Sequence, residues 1–402
     1  MDYKTVTETA VKWGVSERWV HKYLEDGRVK GAVRFGAAWM IPADAGKPED
    51  PRYENKASAI QPAQPLQIAL DRAIEAVHKP WPYDAPDRVL DVIGDEKLRL
   101  APEAMLAYLR GDFERVKLCY KDSEGDDAVK LLVGAISIPA AISVGDYPFF
   151  LEVEGWLKEL ASADLGPGVT AYARYALASG YIGAHVPDMI ADWIKNGDFA
   201  ELHPLARHEA VNRRIDYLMS QKKYESMLDT AQTAMSLLGL SHDGSGGKRY
   251  SLTDVNLRIR CAVACLCLGR VDEAKRRLLE AMDIALPHGF TTPFSEMAMW
   301  LGNLMELCLN QEYPMWRNAV IGQADRTLAN WITFHNHFAK DNITLILTLR
   351  EMGIAALVVR RVPYKTIAEQ YHISLGRLKA IISDIYGKLY VHNRSELSGF
   401  IL

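Results

Sequence analysis

What this chain of 402 residues lacks narrows its chemistry before what it contains. Its five cysteines are an odd number, which excludes a complete disulfide framework and predicts free thiols in a reducing cytoplasm. There is no charged-then-apolar leader and no run of 18 uninterrupted apolar residues. The longest candidate, Leu131 to Val144, contains Pro139, so no membrane partner is expected. Charge of one sign is scarce too: 47 Lys/Arg against 51 Asp/Glu, with 49% hydrophobic residues, is the balance of an ordinary globular protein rather than a disordered or fibrous one.

Signatures of catalysis are also missing. No Ser/His/Asp order with supporting motifs, no recognisable pair of catalytic carboxylates and no dinucleotide fingerprint occurs, so an enzyme is not expected. Asp243 to Ser251, DGSGGKRYS, fails as a phosphate loop: His242 stands where the first glycine is needed and Arg249 where Ser or Thr would hold Mg²⁺. It reads as a loop between helices. Cys261 and Cys265 share a helix face, with Cys267 nearby, but no second pair stands at zinc spacing. His335 and His337, two apart, point to different faces of a helix. Buried thiols and surface histidines are expected, with no metal and no other cofactor. Trp300, Trp316, Trp331, Phe334 and Phe338 read as core packing ahead of the C-terminal residues.

What is present is a mainly α pattern in three parts joined by a linker. Residues 1–45 alternate helix and turn signals, 46–65 form a linker punctuated by Pro48, Pro51, Pro62 and Pro65, 66–342 are helical, and 343–402 are helical and basic. After Asn342, eight Lys/Arg face four Asp/Glu, whereas residues 57–342 carry an acidic surplus. A basic end on an acidic body fits one part that touches nucleic acid and another that does not.

In the first part, Thr7 is placed to cap a helix ending at Gly14, and Ser16 to cap a second helix reaching about Glu25, closed by Gly27. Arg28–Phe35 and Ala37–Ile41 then alternate as two strands turning near Gly36. This order, carried by Arg18, Trp19, Gly27, Arg28, Gly31, Gly36, Trp39 and Pro42, resembles the excisionase and MerR-like winged helix-turn-helix family. The resemblance implies a small β-hairpin wing and a second helix offering Ser16, Arg18, Trp19, His21 and Lys22 to the major groove of double-stranded DNA. Arg28, Lys30 and Arg34 would meet flanking phosphates.

In the last part, helices around Tyr364–Tyr371 and Ser374–Leu389 are separated only by His372 and Ile373. Leu378, Ile382, Ile385 and Leu389 form one stripe of the second helix, and Arg377, Lys379, Ser383 and Lys388 lie off it. With Leu347-Thr348, Arg350-Glu351, Ile367-Ala368, Ile373-Ser374, Lys379, Lys388-Leu389, Val391 and Asn393-Arg394, the segment resembles the C-terminal four-helix domain of LuxR-type transcription regulators. Arg361, Arg377 and Ile381 stand where that family usually has Gly, Thr and His, departures that touch the groove-facing side. The DNA-contacting set implied is Lys365, Ser374, Gly376, Arg377, Lys379, Ser383, Lys388 and Arg394. The last helix, Asn393 to Leu402, is the implied surface of a homodimer.

The middle repeats itself irregularly. Gly111-Asp112-Phe113 and Gly145-Asp146-Tyr147 stand 34 residues apart, Gly180-Tyr181 lies near the same interval, and Gly197-Asp198-Phe199 repeats the tripeptide out of phase. Cys267–Ala285 and the run from Lys223-Tyr224 to Ala234 are similar to tetratricopeptide units, which implies a helical solenoid with a face for a peptide, small-molecule or protein effector. The expectation is a DNA-binding transcription regulator. Two alternatives are a repeat-based interaction scaffold and an excisionase-like protein that bends DNA.

Overall fold

The computed structural model describes residues 3–35, 38–43, 45–48, 65–78, 81–82, 85–163, 165–183, 187–238, 249–250, 252–339 and 347–400. These are mainly helical and form two compact units, residues 1–63 and 64–402. Most of the expected linker, most of the loop ending at Ser251 and the last two residues of the expected dimer helix lie outside the described residues, but Arg249–Tyr250 of that loop form a short strand paired antiparallel with Trp81–Pro82. So do the side chains of His335, His337 and Phe338.

In the first unit, helix α1 (Val6–Trp13) is capped by Thr5, not Thr7. The reason is Glu8, three residues after Thr5, which returns its carboxylate to the Thr5 amide at 2.9 Å while the Thr5 hydroxyl accepts from the Glu8 amide at 3.3 Å. Gly14, at φ +64°, ends it, and α2 (Glu17–Glu25) follows. Strands β2 (Val33–Phe35) and β3 (Ala38–Pro42) pair antiparallel, Arg34 opposite Trp39. The first of them starts later than its alternation predicts, because Gly27 and Gly31 turn left-handed at φ +66° and +77° and keep residues 28–32 out of the sheet. A third strand, β1 (Tyr3–Lys4), pairs with the other edge of β3 and is too short to show alternation. Trp13, Val20, Tyr23, Leu24 and Ile41 make the core.

The second unit begins with α3 (Pro65–Val77), α4 (Glu96–Arg110), α5 (Phe113–Asp122), α6 (Asp127–Val144), α7 (Tyr147–Ser162) and α8 (Pro167–Gly183). The repeated Gly-Asp-aromatic tripeptide is a helix joint. Gly111 and Gly145 end α4 and α6 at φ +76° and +80°, and Asp112 and Asp146 cap the next helix by accepting from Arg115 N and Phe149 N, each at 3.1 Å. Gly197 ends a short helix the same way, but the residues after Asp198 form a turn, not a helix. Gly180 is no joint: it lies inside α8, where an added Cβ would stand 3.0 Å from Ile138 and 3.2 Å from Phe150.

Helix α6 runs unbroken through Pro139, longer than the run read from sequence. It packs against α3, α4, α5, α7, α8 and, from later in the chain, the long helix Pro314–Ala339. An interior proline costs about 3 kcal/mol. Burying Leu131, Val133, Ile136, Ile138 and Ile142, at roughly 1.5–3 kcal/mol each, outweighs that. It is the one helix among the described residues long and apolar enough to cross a membrane, and 78% of it is buried inside the protein.

The unit continues with α9 (Arg207–Ser220), α10 (Tyr224–Leu238), α11 (Leu252–Cys267), α12 (Val271–Ala285), α13 (Asn303–Glu312) and α14 (Pro314–Ala339), whose second core holds Cys261, Cys265, Leu278, Phe290 and Phe294. Burial pushes the Cys261 thiol up to about 12 and the Cys265 thiol to about 11. Helix α14 crosses the joints of the first half, with Gln323 against Gly111 and Asn330 donating to Ser143 O at 3.0 Å beside Gly145.

Last come α15 (Leu349–Val359), α16 (Tyr364–Gln370), α17 (Leu375–Leu389) and α18 (Arg394–Phe400), around a cluster including Ile354, Ile367, Leu378, Ile385 and Leu397. These helices dock on the preceding ones. Arg360 stacks on Trp300, guanidinium to ring centre 4.4 Å, and donates to Met299 O, while Lys222 donates to Ser398 O at 3.0 Å.

Candidate functional site

Two kinds of surface carry polar chemistry that the cores do not consume: the outer faces of α2 and α17, and a cavity inside the second unit. On α2 the apolar residues Val20, Tyr23 and Leu24 turn inward, so Ser16, Arg18, Trp19, His21 and Lys22 are exposed. The Lys22 ammonium lies 5.1 Å from the Trp19 ring centre, and Arg28, half-buried, lies 5.4 Å from that of Tyr23. Lys30 and Arg34 are exposed beside the strands, Arg34 at 5.9 Å from the Trp39 ring. Ser16 occupies the cap position of α2, but its side chain makes no capping hydrogen bond.

On α17 the buried stripe is wider than the sequence reading. Leu378, Ile382, Ile385 and Leu389 are joined by Ile381, only 8% exposed, so Ile381 belongs to the core and not to the outer face. The outer face carries Gly376, Arg377, Lys379 and Ser383, all exposed, with Lys365 exposed on α16 and Arg394 on α18. Two residues of the expected set have internal tasks. Ser374 caps α17 by accepting from Arg377 N at 3.2 Å. Lys388 reaches across to α15 and donates to both oxygens of Glu351, at 2.7 and 2.9 Å. Burial raises the Glu351 carboxyl, but the Lys388 and Thr348 hydrogen bonds outweigh it and hold the group below the ordinary range. At Arg361, where the resemblance has glycine, the backbone keeps the left-handed form, φ +62°.

The cavity, about 1040 Å³, lies among the helix pairs and reaches α15 and α16. Sequence reasoning missed it. Its signal is in α9, where Glu209, Asn212, Arg213 and Asp216 fall at i, i+3, i+4 and i+7, a polar stripe where a packed helix would place apolar residues. Asp216, buried, accepts from Arg260 at 2.6 and 2.9 Å and stands 3.4 Å from Arg213 Nη1. Glu209 stands 3.4 Å from His78 Nε2 and 3.5 Å from the Tyr175 hydroxyl. Burial works against both charges of that pair, but mutual attraction lowers the Glu209 carboxyl and raises the His78 imidazole. Glu296 accepts from the Tyr108 hydroxyl at 2.5 Å and the Ser143 hydroxyl at 2.9 Å, and burial pushes its carboxyl above the usual range.

Among the described residues, four buried polar atoms around this space have no hydrogen-bond partner: Asn212 Oδ1, Arg213 Nε, Gln370 Oε1, and His78 Nε2, which has only its 3.4 Å ionic contact with Glu209. Buried polar groups are rarely left so, and each costs about 1–3 kcal/mol without a partner. Other lining residues, including Ala101, Pro102, Leu132, Ala135 and Ile136, are apolar. Arg350, Gly353, Leu357, Gln370 and Tyr371, from the C-terminal residues, also line it, so one space is shared by the preceding helices and the docked ones. Among the described residues no cluster of His, Cys, Asp and Glu could hold a metal ion. No protein-family model, curated protein or solved structure matches this chain.

Proposed function

We propose that the protein is a DNA-binding transcription regulator in which the helix pairs between residues 66 and 342 form an irregular tetratricopeptide-like array. That array binds an effector and controls the docked C-terminal helices. In this reading α16 and α17 are a LuxR-like helix-turn-helix, with Arg377, Lys379 and Ser383 towards the groove, and α1, α2 and the β2–β3 hairpin are a winged helix-turn-helix, with Arg18, His21 and Lys22 towards it. The observation that carries the proposal is that both helices bury one apolar stripe and leave the opposite, cation-bearing face exposed. A groove reader needs that arrangement, because guanidinium and ammonium groups must reach phosphates and base edges.

The cavity supports the effector half of the proposal. A ligand there touches residues on both sides of the docking contact, so it shifts the docked equilibrium by the difference of its affinities for the two arrangements. A homodimer, expected from the resemblance, would match paired half-sites. The test is duplex binding by the full chain as salt is raised. Phosphate contacts make the affinity fall roughly linearly on a log–log plot, with a slope near −0.9 per phosphate neutralised. An affinity indifferent to salt would favour the interaction scaffold.

A further inference from the structure

The effector cavity proposed above has a polar end and an apolar wall, and their chemistry restricts what fits. At the polar end two guanidiniums, Arg213 and Arg260, share the single carboxylate of Asp216, and Arg260 holds it with both of its short bonds. Arg213 makes the longer, 3.4 Å contact, and among the described residues its Nε has no hydrogen-bond partner. Other carboxyls lining the cavity have partners of their own: Asp254 faces Arg258 at 3.8 Å, Glu209 faces His78, and Glu296 accepts from the Tyr108 and Ser143 hydroxyls. The Arg213 Nε–H is left unused, beside Asn212, which is 3% exposed and has its amide oxygen unused. An amide can turn either its oxygen or its NH₂ towards a ligand.

We infer that the cavity binds a drug-sized apolar molecule bearing one carboxylate, with the carboxylate on Arg213 and Asn212 and the apolar body along Ala101, Leu132, Ala135 and Ile136. The inference rests on reading the cavity as the effector site. A guanidinium and a carboxylate match in shape as well as charge, and a carboxylate supplies the acceptor that the Arg213 Nε–H lacks. The volume of about 1040 Å³ is at the upper end for organic ligands. A peptide fits less well, since each residue brings an N–H and a C=O that the apolar wall could not satisfy.

Calorimetry with the full chain tests this, using dodecanoate below its micelle concentration, its methyl ester, and a short apolar peptide. Dodecanoate should bind at least about tenfold tighter than the ester, a difference of about 1.4 kcal/mol. Arg213→Gln should abolish that preference while leaving ester binding unchanged, which a merely structural role would not do. Should Arg213→Gln fail to fold, Ala135→Trp serves instead, filling the apolar side and weakening acid and ester together. Equal binding of acid and ester, tighter binding of the peptide, or no binding of any probe would overturn the inference. Duplex binding by the same preparation separates the two ideas: retained DNA affinity without carboxylate preference defeats only the ligand class, and carboxylate preference without DNA affinity defeats only the regulator.

Discussion

Helix α2 buries Val20, Tyr23 and Leu24 beneath Arg18, His21 and Lys22, and helix α17 buries Leu378, Ile382 and Ile385 beneath Arg377, Lys379 and Ser383. The plan is shared and the setting differs. The unit containing α2 closes on its own small core, whereas the helices around α17 also lean on Trp300, Met299 and Lys222 and contribute to a cavity wall. In the proposed reading a ligand in the cavity would act directly on the C-terminal helices, which supply part of its lining, whereas none of the described residues of the N-terminal unit lines that cavity.

The docking contact is the place to break this comparison. Arg360 is half-buried over Trp300, and burial lowers its guanidinium to about 10, with no carboxylate within ion-pair distance among the described residues. Trp300, 4% exposed, fills the space beneath. Trp300→Ala should therefore destabilise the second unit by about 3–5 kcal/mol. Hydrogen exchange should show lost protection in α15 and none in α1 or α2; equal loss in both units would contradict the contrast.

Arg18→Ala and Arg377→Ala sharpen the comparison at the reading faces. Each should weaken duplex binding by about 1–3 kcal/mol if its guanidinium grips a base edge, measured by fluorescence anisotropy at fixed salt. An unchanged affinity for either variant removes that residue from the proposed groove face.

Smaller effects belong to the C-terminal helices alone. Glu351→Gln removes the Lys388 ion pair while leaving an amide oxygen to accept from the Thr348 amide, and should cost about 0.5–1 kcal/mol at neutral pH. Because the folded carboxyl titrates below its ordinary value, its contribution is present above the unfolded pKa of about 4.3 and fades as pH falls through the lower folded value. Melting curves of both proteins should thus converge in acid. The smallest change runs the other way: Arg361→Gly relieves a left-handed backbone and should stabilise by about 0.5–1 kcal/mol in chemical denaturation.

Much of this was legible in the sequence where a local rule suffices. The stripe of α17, the caps at Gly14 and Ser374, and the Gly-Asp-aromatic joints follow from spacing and side-chain chemistry within a few residues. The reading slipped where distant contacts decide. Pro139 stays helical because six helices surround it, Ile381 turns inward because the core is wider than one stripe, and Lys388 is claimed by a carboxylate 37 residues away. The cavity was invisible for the same reason: its polar end gathers α9, Arg260, Ser143 and Glu296, which only tertiary packing brings together.

Selection of bound sequences from a random duplex library by the full chain decides whether the exposed faces of α2 and α17 read duplex DNA. An enriched sequence that is lost or simplified in Arg18→Ala and Arg377→Ala proteins is expected, and recovery of the unselected library after repeated rounds would contradict the proposed function.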